Sequence, residues 1–228
     1  MHNSMDMALR YHPIVAFLRP RLEPGTRIVD VGSGSVGITP YLRHTVFGVD
    51  RSFDGPRATR LVRCTGDVLA LPFADRSVDI TLCVDTLEHL PPDKRSAAVS
   101  ELLRITRRFA VIAVPCGPLS AERDRDLSLR LRRRLGRRDR FLDEHLEHGL
   151  PRLEELQAWI TDAGAKLGRQ FRSRAQDNVH LRVWWLVQMA KVSLLWRATM
   201  IISFPVMFPI LRQFNGRPSY RQILYVEA

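Results

Sequence analysis

Along the first half of the chain, short apolar runs alternate with stretches of helical period. "RIVDV" (27–31), "TVFGVD" (45–50), "RLVRC" (60–64) and "VDITLCVD" (78–85) are rich in β-branched residues and bounded by Gly, Pro, Asp or Arg, so each is a strand candidate. "FAVIAVP" (109–115) has no polar alternation, as in a strand buried on both faces of a parallel sheet. Between these runs, "VGITPYLR" (36–43) reads as a short helix. "PDKRSAAVSELLRI" (92–105) reads as a longer one, with Val99, Leu102, Leu103 and Thr106 on one face. A leading helix is expected over 9–22, with Pro13 near its start and Pro20 near its end. Strand–helix alternation of this kind predicts an open α/β sheet with right-handed crossovers.

After Pro115 the rhythm changes. Residues 119–140 are dense in arginine, and Leu127, Leu131 and Leu135 recur at a spacing of four, which predicts a basic helix with a leucine seam. A regular helix follows over 150–167, with Pro151 at its first position, acids in its first turn and Gly164 near its end. Residues 167–173 and 220–227 are the last two strand candidates, and the most apolar stretch of the protein, 179–211, lies between them. The expected organisation is one domain over 1–228. It carries a basic helical insert at 116–149 and an apolar helical insert at 174–215, before the last strand.

Composition sharpens this in two respects. A chain of 228 residues suffices for one domain with a well-buried core. A formal net charge of +11 favours an anionic partner, either nucleic acid or an acidic membrane surface, and is silent about fold. Cys64, Cys83 and Cys116 show no paired spacing, so neither a zinc site nor a disulfide framework is read, and a reducing compartment is the simplest context. The first thirty residues show no basic region followed by a long apolar stretch, so no leader is read there and a cytoplasmic location is expected.

The candidate chemistry begins at "IVDVGSGSVGITPYL" (28–42), a strand running into a glycine-rich turn. In an open α/β sheet, ligands bind beyond the carboxyl ends of the strands, and glycines there let the backbone approach a ligand closely. Four acids fall at strand ends: Asp30, Asp50, Asp67 and Asp85. A carboxylate at Asp50 can accept both hydroxyls of a ribose, and one at Asp67 can accept from an adenine amino group.

"VDVGSGSVG", "FGVDRS" and "GDVLALPFADRSVDITLCVDTLEHL" together resemble the class I S-adenosylmethionine-dependent methyltransferases, in particular the broad type 11 group that includes the quinone-biosynthesis enzymes. The resemblance spans 27–115 and, weakly, the last strand. It implies a Rossmann-like sheet, mostly parallel with a C-terminal antiparallel strand, helices on both faces, and S-adenosyl-L-methionine as cofactor. By position it places Gly32, Ser33 and Gly34, with Gly37 behind them, against the methionine end of the cofactor. Asp30 would support the turn and the cofactor's amino group. Asp50 would hold the ribose with Arg51 beside it, Asp67 and Val68 would frame the adenine, and Asp85 would lie near the transferable methyl.

Methyl transfer from an activated donor needs mainly a nucleophile held in line. Where the nucleophile keeps a proton, His89 is the candidate general base, since histidine titrates near neutrality. The competing reading is that His89 packs against the following helix. "DEHLEHGLP" (143–151) adds His145, Glu147 and His148 before the penultimate helix. With Glu88 and His89 these offer imidazole and carboxylate ligands, but no short motif fixes their geometry. They are read as a helix-leading segment, and no metal is expected.

Absence of an asparagine–proline–proline–aromatic tetrapeptide after the fourth strand lowers the case for methylation of planar nitrogens. The 179–211 segment approaches the length of a membrane span, but the following strand must return to the same sheet, and Pro205 and Pro209 interrupt a long helix. It is expected to be a bent cap that packs on the sheet edge, lines an apolar pocket or dips into one leaflet, with plain core packing as the competing reading. The expected acceptor is a small hydrophobic or lipid-linked molecule, met at an anionic membrane surface, with the protein peripheral to the inner face. The rival is an RNA-directed enzyme whose arginines track phosphates. No aromatic residue lies between Arg123 and Arg140 in the arginine-rich stretch, which tilts the reading toward lipid.

Overall fold

The computed structural model describes residues 5–228. Seven strands form one sheet: β1 (Ile28–Val31), β2 (Val46–Asp50), β3 (Leu61–Thr65), β4 (Val78–Val84), β5 (Thr106–Pro115), β6 (Arg172–His180) and β7 (Ser219–Glu227). Their order is β3-β2-β1-β4-β5-β7-β6. β1 through β5 pair in parallel, and β7 is antiparallel to both neighbours. The sheet therefore matches the expected class, and β1 and β4, at its centre, are buried along their whole length. Their largely apolar character, broken by the buried Asp30, Asp79 and Thr81, follows from being covered on both sides.

One face packs on α2 (Pro92–Ile105) and α5 (Leu153–Leu167), through Val99, Leu102 and Leu103 from α2 and Leu156 and Ile160 from α5. The other packs on α1 (Met5–Leu18), whose Ile14 and Leu18 meet Ile28, Ile80 and Val111. A third apolar cluster lies beyond the sheet's carboxyl edge. It joins Leu9 of α1, Leu127 and Leu131 of α3 (Pro118–Leu135), Leu142 of α4 (Arg140–His148), Trp184 of α6 (Leu181–Gln188) and Leu211 of α8 (Phe204–Leu211). α7 (Leu194–Ile202) completes this cap.

Several elements depart from expectation. Residues 36–43 form a series of turns instead of a helix. Gly37 holds φ +50° there, Pro40 has no N–H to donate, and the Ile38 N–H is taken by the Asp30 carboxylate at 2.9 Å. The leading helix runs four residues earlier than expected, with Pro13 inside it. The arginine-rich stretch is two helices. Gly136 adopts the left-handed conformation and ends α3, and Asp139 then caps α4 by accepting from the N–H groups of Phe141 and Leu142. α5 begins at Leu153, past Pro151, with Glu155 accepting the Arg152 N–H at 2.7 Å. β6 occupies 172–180, not 167–173, because Gly168 at φ +62° must first terminate α5. Residues 174–180 thus belong to the sheet, and the apolar elaboration is confined to α6–α8.

Among the described residues no single helix is long and apolar enough to cross a membrane. α7 and α8 meet at a bend of 84°. Their surfaces are unlike those of a core helix: Leu194, Leu195 and Ile202 are each at least 80% exposed and Val206 is 67% exposed. Exposed apolar side chains grouped in this way mark a contact surface.

Candidate functional site

A cleft of about 670 Å³ opens at the carboxyl ends of β1, β2 and β4. One wall is the glycine turn. Gly32 holds φ +74° and Gly34 φ +54°, both left-handed, and the Gly32 N–H donates to the Val49 carbonyl at 2.8 Å. A Cβ on Gly32 would overlap the Thr86 side chain, and one on Gly37 would overlap the Asp30 carboxylate, whereas one on Gly34 would meet no protein atom within 4 Å. The turn is therefore packed tightly from behind and open in front.

Asp30 stands behind the turn, 1% exposed, and does not reach the cleft wall. Its Oδ2 accepts the Ile38 N–H, yet burial pushes its pKa up to about 7. At the end of β2, each Asp50 oxygen accepts one backbone N–H, from Gly34 at 2.8 Å and Arg51 at 2.7 Å. Each oxygen keeps a second lone pair for a ligand hydroxyl. Gly32, Ser33, Gly34, Gly37, Asp50, Arg51, Val68, Asp85 and His89 all line the cleft. Asp67 does not. It pairs with Arg51 at 3.0 Å and accepts the Leu69 N–H at 2.9 Å, and that backbone bond, ahead of Arg51, holds its pKa below the usual range.

Asp85 differs most from its expected surroundings. It is a non-glycine residue at φ +49°, and the structure gives its carboxylate two arginine partners that the sequence reading missed. Arg221 of β7 grips it bidentately, with Nε to Oδ1 and Nη2 to Oδ2 both at 2.5 Å, and Arg10 of α1 lies 3.1 Å from Oδ2. Arg221 is 1% exposed and also donates to Asn178 Oδ1 at 3.1 Å. Burial alone would raise the pKa of Asp85, but the two guanidinium groups outweigh burial and hold it below the usual carboxylate range. Arg10 is separated from Asp85 by most of one half of the sheet in sequence, so no local motif announces the contact.

Deeper along the cleft, Glu88 and His89 follow β4 and meet His145 of α4. The His145 Nδ1 lies 2.8 Å from Asp124 Oδ2, and Tyr220 donates its hydroxyl hydrogen to Asp124 Oδ1 at 2.7 Å. The His89 Nδ1 lies 2.9 Å from Glu144 Oε2, and the His89 and His145 rings lie 4.9 Å apart. Burial, then the neighbouring His145, lowers the pKa of His89, leaving the imidazole neutral. The sequence reading placed the 143–148 histidines in a segment leading into the penultimate helix. In the structure they belong to α4, and that helix turns His145, 7% exposed, inward to join Glu88 and His89. Trp184, stacked on Tyr220 at 4.0 Å between ring centroids, forms an apolar wall with Phe141 and Leu142. Arg95 fastens this end, donating to the carbonyls of Leu90, Glu88, His148 and Gly149.

Residues 29–114 match the family described as "Methyltransferase domain". An uncharacterized methyltransferase of Mycobacteroides abscessus is 40% identical over 80 residues, which are 34% of this chain and 29% of that protein, so the match spans under a third of the relative's length. Two solved structures share the fold at low identity. One is the methyltransferase bound to the Trm112 methyltransferase activator of Haloferax volcanii, with a TM-score of 0.57 at 17% identity over 97% of this chain and 88% of that one. The other is the magnesium protoporphyrin IX methyltransferase of Synechocystis PCC 6803 with bound S-adenosylhomocysteine, with a TM-score of 0.54 at 16% identity, covering 95% and 80%.

Proposed function

We propose that this chain, built on the class I S-adenosylmethionine-dependent fold with its methyltransferase domain at 29–114, transfers a methyl group from S-adenosylmethionine to a small acceptor. The observation that carries the reading is the glycine turn, closed behind by Thr86 and Asp30 and open in front at Gly34. A bare backbone facing a cleft, beside the Asp50 carboxylate, suits a cofactor with an amino acid at one end and a ribose further along. Bound there, S-adenosylmethionine supplies a methyl group already activated on a sulfonium sulfur and leaves as S-adenosylhomocysteine. The chain's own residues then position and exclude. The turn 32–34 holds the methionine end, Asp50 accepts from the ribose hydroxyls, and Gly66 and Val68 border the adenine. Trp184, Phe141 and Leu142 shield the acceptor end from water, where orientation supplies much of the rate. His89, neutral and lining the cleft, is the group placed to take a proton from the acceptor.

The acceptor is read as a small molecule with an apolar portion, met at an anionic membrane surface. Two features support this: the exposed apolar side chains of α7 and α8, and the arginines of α3. Arg123 and Arg130 of α3 sit over Trp185, at 5.5 and 5.1 Å, so the basic helix and the apolar cap share one region of the surface. Such a pairing suits an interface with acyl chains below and lipid phosphates above.

Calorimetry with S-adenosylhomocysteine tests the cofactor reading. Binding by the native protein that is lost in Asp50→Ala supports it, and no binding by the native protein refutes it. Flotation with anionic liposomes tests the membrane reading. Protein that stays at the bottom of the gradient at low salt, or that co-purifies with RNA released by salt, overturns it in favour of the RNA-directed alternative.

A further inference from the structure

Glu88 and His89, from the turn after β4, and His145, from α4, each bring one ligand atom within 4.8 Å of the others. Glu88 is fully buried, and neither carboxylate oxygen has a hydrogen-bond partner. A buried carboxylate left in that state is costly unless a cation or a proton meets it. The Nε2 of His145, 3.9 Å from Glu88 Oε1, is likewise buried without a hydrogen-bond partner. Each imidazole has a carboxylate on its Nδ1 side, Asp124 for His145 and Glu144 for His89. For His145 the hydrogen bond to Asp124 fixes the proton on Nδ1 and leaves Nε2 as the ligand atom, the usual support of a metal-binding histidine. The His89 Nδ1, close to Glu144 but without hydrogen-bond geometry, leaves that ring able to meet an ion through either nitrogen. Tyr220 orients Asp124 in turn.

We propose that Glu88, His89 and His145 form a binding site for one divalent transition-metal ion, with Asp124 orienting the His145 imidazole. Two nitrogens and one carboxylate favour zinc, manganese, iron or cobalt over magnesium and calcium, which prefer oxygen throughout. Metal–ligand bonds of about 2.0–2.2 Å set tetrahedral ligand atoms about 3.4 Å apart. From separations of no more than 4.8 Å the set must close by at most about 1.4 Å (4.8 less 3.4), with His89 the least buried of the three. Arg10 and Arg221 are already engaged by Asp85, and Arg95, which reaches the Glu88 backbone carbonyl, is engaged by carbonyls. Three protein ligands leave a coordination position open, and all three residues line the cleft. An acceptor bearing a hydroxyl or carboxylate oxygen fills that position, which would fix the oxygen's place in the cleft; with the ion bound, His89 is a ligand and no longer a base, and the ion instead lowers the pKa of a bound hydroxyl. This last step rests on the methyl-transfer reading; the metal site does not.

The test uses the full chain, stripped with chelator and titrated calorimetrically with Zn²⁺ and separately with Mn²⁺, with bound metal counted by elemental analysis. One ion per chain is expected. Binding should weaken at least about tenfold in Glu88→Gln and in His89→Asn and stay unchanged in His148→Gln, on the same helix outside the cluster. His89→Asn, at a partly exposed position, keeps the test valid if Glu88→Gln misfolds. No stoichiometric ion, or equal binding by the native protein and His89→Asn, overturns the site. S-adenosylhomocysteine titrations of the same samples separate the two readings. Cofactor bound without metal rejects only the metal site, and metal bound without cofactor rejects only the methyltransferase reading.

Discussion

Replacing Asp85 by Asn isolates the buried charge cluster beneath the cleft. The native carboxylate faces two guanidinium groups, one bidentate at 2.5 Å and one at 3.1 Å. The amide has the same shape and no charge, so Arg221 would be left with no acidic partner and only the Asn178 amide oxygen, facing Arg10, which keeps Asp6 at 2.8 Å. Removing one partner of a buried pair costs about 3–5 kcal/mol. Set against a total stability of about 5–15 kcal/mol, that is a large share. At about 2–4 °C per kcal/mol for a chain of this size, Tm should fall by about 10 °C. Arg221→Met should cost less, since Asp85 keeps Arg10, and Asp85→Asn/Arg221→Met should recover part of the loss because only one cation then remains. The assay is urea unfolding of all four proteins, read as a double-mutant cycle. The pH dependence has a definite sign. A carboxylate whose folded pKa lies below its ordinary value stabilises the fold above about pH 4 and loses that contribution as pH falls through the folded pKa. A single variant Asp85→Asn within about 0.5 kcal/mol of native, or a cycle with no coupling, would refute the reasoning.

Three further outcomes follow from the same geometry. Gly32→Ala combines a left-handed φ of +74° with overlap against Thr86, so it should lose about 1–2 kcal/mol to strain alone. It should also abolish S-adenosylhomocysteine binding by calorimetry, and retained binding would show that the turn tolerates a side chain. Asp30, with its pKa raised to about 7, gives up its proton more readily in the unfolded chain. Native stability should therefore decline from about pH 4 to about pH 7, and Asp30→Asn, which still accepts the Ile38 N–H, should flatten that decline in urea titrations. Arg95→Met removes donors to four carbonyls that join the start of α2 to the end of α4 and should cost about 2–4 kcal/mol. Proteolysis near 148–152 should accelerate, and unchanged cleavage would count against a clamping role.

What the residues announce in advance depends on how local the cause is. β1, β4 and β5 could be read directly, because burial on both faces demands mostly apolar, β-branched runs, with Asp30 in β1 and Asp79 and Thr81 in β4 as polar breaks. α2 could be read from its one-sided period. β6 could not: "RSRAQDNVH" is an edge strand with exposed polar positions, and only pairing with β7 makes it extended. The turns at 36–43 defeated a helical reading because the decisive bond, Ile38 N–H to Asp30, comes from the side chain of a neighbouring strand. At the site, the glycines and Asp50 carry their own signal in short spacing. The Asp85–Arg221 grip and the meeting of His145 with Glu88 join residues from distant elements, and their partners are ordinary charged residues until the sheet closes.

The place of β7 bears on how the molecule comes into being. Among the described residues β6 pairs with no strand except β7, yet α6, α7 and α8 are synthesised between the two. Until β7 inserts, β6 lacks its strand partner and Asp85 lacks Arg221. Long-range pairing of this kind is slow and leaves intermediates that stick to one another. On the membrane reading proposed above, a bilayer that took up α7 and α8 during that interval would act as a folding partner as well.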